Sequence, residues 1–150
     1  MNIIVPRYIF LPDATIKNDL ALIIKSDGTI VEVLPINKIN SEADNIKYYN
    51  GLLLPGFINC HCHLELSWCK GLYNPDTGIE AFYGAMKNTQ KLRPNEDIIN
   101  EAINNTIKIF KQQGVVAVAD ISNTKVSLEA KTKSDIYFHT FLEAFGMSEN

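Results

Sequence analysis

The chain has only three cysteines in 150 residues, two of them separated by a single residue. An odd count cannot close a paired disulfide framework, and free thiols suit a reducing cytoplasm. Long apolar runs are also missing: "LALII" and "GLLLPGF" fall far short of the roughly 20 residues of a spanning helix, which argues against a membrane protein. The opening "MNIIVPRYIFLP" has no charged segment leading into a sustained apolar one, and Pro6 and Pro12 interrupt it, so no secretory signal is visible. No basic stripe exists either. The net charge is −3 with both signs scattered, which excludes a nucleic-acid polymer as partner but not a single base or nucleoside. Nor is there a Gly/Ser linker, a low-complexity tract or a solenoid repeat. What remains is an ordinary globular composition, 46% hydrophobic and 21% charged, long enough to bury one core.

Residues 1–53 read as a small β unit. In "LALIIKSDGTIVEVL" two β-rich runs flank Ser26-Asp27-Gly28, and Asp-Gly between apolar runs is a hairpin signal because glycine accepts positive φ without steric cost. From residue 54 the texture changes to strands alternating with helices. "GFINCHCH" reads as a short buried strand. Ile79, Phe82, Tyr83 and Met86 recur at helical spacing. Pro94-Asn95-Glu96-Asp97 opens a helix that carries Ile99, Ile103, Ile107 and Phe110 on one face and stops at Gly114. "VVAVADI" predicts a strand covered on both faces. A short helix over 125–133, a third strand in "DIYFHTFLEAFG" and another helix opening at Met147 complete the pattern, which breaks off in mid-course. This order predicts parallel βαβ units.

The stretch "PGFINCHCHLELSW" alternates cysteine and histidine. Strand side chains point to opposite faces with period two, so His61 and His63 share one face and Cys60 and Cys62 the other. The four cannot close on one tetrahedral zinc, and no second Cys/His pair exists to make a zinc ribbon. Two imidazoles about 7 Å apart along a strand can both reach one divalent ion. The thiols are left to pack as small apolar residues under helices. A pair of ordinary core histidines is the alternative.

The segment "LLLPGFINCHCHLELSW", followed by Lys70-Gly71, resembles the first barrel strand of the amidohydrolase superfamily, whose signature runs Pro-Gly-apolar-apolar-Asn/Asp-x-His-x-His after a small β-sandwich. The "HLELS" continuation is most similar to the cytosine/adenosine deaminase-related hydrolases, in particular aminofutalosine deaminase-type enzymes. The resemblance implies an α/β chain: a β-sandwich portion over 1–53, then the first three strands of an incomplete (β/α)8 TIM barrel over 54–150, with metal at the strands' C-terminal ends. His61 and His63 match the two first-strand ligands of one divalent ion, with zinc the default and iron, manganese or nickel able to take similar ligands. The implied reaction is hydrolytic deamination of a small purine-like or nucleoside substrate: metal-activated water attacks an amidine carbon and a carboxylate passes the proton to departing ammonia. Two further histidines, a late aspartate and the proton-shuttling glutamate have no match here, so the segment alone is expected to be inactive.

Other residues keep two readings. Glu65 shares the parity of His63 and either faces the site mouth toward substrate or is a solvated loop carboxylate. Trp68 either stacks on a flat heterocycle or shields the barrel rim. Asp120 ends the second strand, where it caps the following turn or faces ligand; His139 is a core or interface histidine or a substrate contact; Glu143, nearer the mouth, is a further candidate for substrate binding. Cys69 has no partner histidine to make it a nucleophile and reads as structural. Two rival functions stand beside deamination. One is another hydrolase of the superfamily acting on C–N or C–Cl bonds. The other is a noncatalytic half-barrel assembly module that covers its bare sheet edges by pairing with another chain, for example as a homodimer.

Overall fold

The computed structural model describes residues 1–40, 45–73 and 78–144. The chain divides into two compact units, Met1–Pro55 and Gly56–Asn150. The helix expected to open at Met147 lies outside the described residues.

The first unit holds β1 (Asn2–Phe10), β2 (Ile16–Lys17), β3 (Leu20–Ile24), β4 (Ile30–Pro35) and β5 (Ile46–Leu53). The first four run antiparallel in the order β2-β1-β3-β4, and β5 pairs in parallel with β1. The Asp-Gly turn joins β3 to β4 as predicted: Gly28 adopts φ +89°, and Asp27 Oδ1 accepts the Thr29 N–H at 2.9 Å. Val5, Ile9, Ala21, Leu22 and Leu34 are buried on it. Where the sequence suggested a portion of a two-layered sandwich, the described residues give this single sheet.

The second unit runs β6 (Phe57–Cys62), a 3-10 helix (Leu64–Cys69), α1 (Gly78–Thr89), α2 (Glu96–Gln112), β7 (Val115–Ser122), α3 (Leu128–Thr132) and β8 (Tyr137–Leu142). Its three strands lie in the order β6-β7-β8, all parallel. Together the units make a mixed α/β fold. Helix α2 forms where its signals placed it. Asn95 Oδ1 accepts the Ile98 N–H at 3.1 Å, capping one of the orphan donors of the first turn, and Glu96 and Asp97 face the positive end of the macrodipole. Ile99, Ile103 and Ile107 recur every four residues and bury one stripe against Leu64, Val118 and Ile136. Ile99 and Ile103 are fully buried, each worth about 1.5–3 kcal/mol relative to exposure. Gly114, at φ +75°, turns the chain into β7.

On β7 the buried residues are Val118, Asp120 and Ser122, every second position. One face is therefore sealed, while the other is only partly covered among the described residues; the expectation of cover on both faces is corrected. Strand β6 is likewise no buried strand. It is an edge with β7 on one side, and Phe57 and Ile58 are 54% and 66% exposed. Its apolar composition anticipated neighbours that the described residues do not supply. At Gly56 the backbone runs close to β7: a Cβ there would meet the Val116 side chain at 2.3 Å.

Candidate functional site

The histidine and cysteine alternation is not a plain strand. Asn59 pairs with Val118 but Cys62 with Asp120, so three steps on β6 match two on β7. An extra residue of this kind is a β-bulge, which re-aims side chains and resets parity. Cys62 remains packed against the core. Cys60 is exposed, and its Sγ lies 3.9 Å from the Ile58 carbonyl. The expectation that both thiols are hidden is thus corrected for Cys60, because the bulge falls between them. Burial, followed by the Asp120 charge, pushes the Cys62 thiol up to about 11, with Lys131 partly opposing. Cys69 is buried and its thiol is also raised, chiefly by burial, in keeping with a structural role.

The imidazoles of His61 and His63 sit together, ring centroids 5.2 Å apart and planes at 67°. Two imidazoles bound to one tetrahedral ion at about 2.0–2.1 Å would have centroids roughly 5 Å apart. The pair therefore fits two corners of a divalent site. Among the described residues no group of three or more His, Cys, Asp or Glu is assembled for a metal.

Two carboxylates tie the turn after β6 to the end of β7. Glu65 is buried, with Oε1 accepting the Asn123 N–H at 2.9 Å and Oε2 the Thr124 N–H at 2.8 Å and the Thr124 hydroxyl. It is thus no solvated loop carboxylate, and both its oxygens are engaged within the chain. In the other direction, fully buried Asp120 accepts the Leu64 N–H at 2.7 Å on Oδ1 and the Ser122 hydroxyl at 2.8 Å on Oδ2, and forms an ion pair with Lys131. Lys131 Nζ also donates to Ser122 Oγ at 3.2 Å and Thr140 Oγ1 at 3.0 Å. The turn-capping reading of Asp120 is corrected: the side chain points into the core, where a charge survives only when paired and hydrogen-bonded.

Beside His63 lies a cleft of about 660 Å³. Leu66 and Trp68 wall one part and Phe82, Tyr83 and Met86 of α1 another. Lys87, Arg93, Glu65, Asn123, Thr124 and Glu143 supply its polar groups. Trp68 both lines this cleft and packs on the core. Glu143 donates its N–H to the Ser122 carbonyl at 3.1 Å, while its Oε2 is enclosed with no hydrogen-bond partner among the described residues. His139 is exposed on β8, its ring 4.7 Å from that of Phe141, and is not a core residue. Sequence reasoning missed Arg93 and Lys87 as cleft residues and Lys131 as the partner of Asp120. For Lys131 a signal existed: an aspartate within an apolar strand demands a cation.

No family model matches the chain. Among curated relatives, aminodeoxyfutalosine deaminase of Nitratiruptor sp. is 30% identical over 146 residues, 97% of this chain and 36% of that protein. The chain thus spans about a third of the length of that relative. Among solved structures, Helicobacter pylori aminofutalosine deaminase in complex with methylthio-coformycin superposes with a TM-score of 0.81 at 24% identity, covering 100% of this chain and 37% of that one. Atrazine chlorohydrolase of Arthrobacter aurescens, solved with zinc, gives 0.70 at 19% identity over 95% of this chain and 35% of the other. Aminodeoxyfutalosine deaminase is therefore a homologue of this chain, and the fold matches part of that of Helicobacter pylori aminofutalosine deaminase.

Proposed function

We propose that the chain is the N-terminal part of a zinc-dependent hydrolytic deaminase acting on a purine-like or nucleoside substrate, similar to aminofutalosine deaminase. The observation that carries this reading is the His61–His63 pair, spaced at 5.2 Å as two ligands of one ion and set beside an aromatic-walled cleft. The homology to aminodeoxyfutalosine deaminase over nearly the whole chain supports it. In this reading β6, β7 and β8 are the first three strands of a (β/α)8 barrel, whose active sites gather at the C-terminal ends of the strands. His61 and His63 would hold the ion, which when bound supplies the Lewis acidity that makes water a nucleophile near neutral pH.

The chain's own residues bind and orient. Trp68, with Phe82 and Tyr83, offers flat apolar surface to a heterocycle, as aromatic side chains do for bases. Glu143 lines the same cleft and supplies a carboxylate to accept from an amino or hydroxyl group of the substrate. Glu65 borders the same cleft and acts on substrate through the loop it holds, since its oxygens are taken. With two imidazoles and no residue assigned as proton shuttle among the described ones, these 150 residues by themselves are expected to turn nothing over. The protein works in the cytoplasm, where its three thiols stay free.

The test is ammonia release by the zinc-loaded full-length gene product from 6-aminofutalosine, adenosine, guanine and cytosine. Release from a purine substrate supports the reading; release from none removes deamination. A second reading, hydrolysis of a C–Cl bond, is favoured by the structural likeness to atrazine chlorohydrolase, and chloride release from a chlorotriazine would select it.

A further inference from the structure

We propose that Asp120, held by Lys131, is a positioning residue for the His63 imidazole. The inference rests on the reading of His61 and His63 as ligands of one ion. His63 is the residue that opens the 3-10 helix Leu64–Cys69, at φ −117° and ψ 78°, between strand and helix geometry. The first N–H groups of a helix have no partner inside it. The His63 side chain makes no capping hydrogen bond. The first of these donors, the Leu64 N–H, is held instead by Asp120, 56 positions away, whose Oδ1 accepts it at 2.7 Å. The backbone directly after His63 is thereby fixed from β7, while the imidazole lies against that of His61.

The contacts around Asp120 are buried and joined to one another. Leu64 and Asp120 are both fully buried, and Asp120 stands in register beside Cys62 across the β6–β7 ladder. Its second oxygen is fixed by Ser122 and by Lys131, and Lys131 is anchored in turn by Thr140 of β8. All three strands thus contribute to the placement of the backbone on either side of His63. A neutral acceptor would serve the Leu64 N–H as well as a charged one, whereas an apolar side chain would leave it orphaned.

That difference defines the experiment. D120N/K131M and D120V/K131M both delete the buried ion pair without leaving a lone charge, but only the first keeps an acceptor for Leu64. Co²⁺ is titrated into each, with its visible absorption as readout, and the NOE between the His61 and His63 rings is recorded in metal-free protein. D120N/K131M should bind Co²⁺ like the unaltered chain and keep the NOE. D120V/K131M should lose about 10–100-fold in Co²⁺ affinity, as disrupted support for a ligand does, and lose the NOE. A folded D120V/K131M with unaltered affinity and NOE overturns the proposal; D120A/K131M replaces it if the valine variant does not fold. Should the unaltered chain bind no Co²⁺, or bind it equally after H63A, the ion-site reading falls, while the NOE comparison still decides the positioning role.

Discussion

Lys131→Met is the sharpest test of the buried network. Asp120 is 0% exposed and Lys131 7%. Replacing the ammonium by a thioether of similar length leaves the carboxylate in the core with the Leu64 N–H and the Ser122 hydroxyl as its partners. Breaking a buried pair from one side costs about 3–5 kcal/mol, because the remaining charge is desolvated without compensation. That is a large share of the roughly 5–15 kcal/mol that stabilises a typical domain. The chain has one tryptophan, Trp68, and it packs on the core of the second unit, so its fluorescence follows the unfolding of that unit. With a urea slope of about 2 kcal/mol/M, the midpoint should fall by roughly 2 M. D120N/K131M, which carries no buried charge, should be more stable than K131M alone. A K131M loss below about 1 kcal/mol, the scale of an exposed pair, would mean that no buried charge is left uncompensated; a double variant less stable than K131M would mean the same.

Four other outcomes follow from contacts elsewhere in the second unit. Ile103→Ala should destabilise the second unit by about 2–5 kcal/mol in the same urea assay, since the residue is fully buried between α2 and the sheet. Asn95→Ala should cost about 1 kcal/mol through the lost cap on Ile98, and Asn95→Asp should recover most of it. Among the thiols, mass spectrometry after brief iodoacetamide treatment should find Cys60 alkylated before Cys62 or Cys69. The Cys62 thiol is raised from 9.0 to about 11 in the folded chain, so its contribution to stability is complete below pH 9 and is lost as pH rises toward 11. Cys62→Ala should flatten stability across that window.

Local signals were readable wherever the chain settles its own geometry. Asn95 and the four-residue spacing of isoleucines defined α2, and Asp27-Gly28 defined the hairpin, because caps and turns depend on neighbours in sequence. The pairing of His61 with His63 also followed from pleat parity, and their rings do meet. Parity failed for Cys60 because a bulge is a property of two strands in register, and β7 lies some 55 residues on. Asp120 was misread for a similar reason. A carboxylate at a strand end looks like a turn cap until its partners, Leu64 and Lys131, are brought together by the fold. Glu65 is tied to Asn123 and Thr124, 58 and 59 positions away, which no local pattern reveals.

Under the proposed reading His61 and His63 act as one unit toward a divalent ion. Zn²⁺ titration followed through the imidazole resonances of all three histidines decides whether they do. His61 and His63 should shift together along a single one-site isotherm, His139 should stay put, and H61A or H63A should abolish the response of the remaining partner. Independent shifts of His61 and His63, or a response at His139 instead, would contradict it.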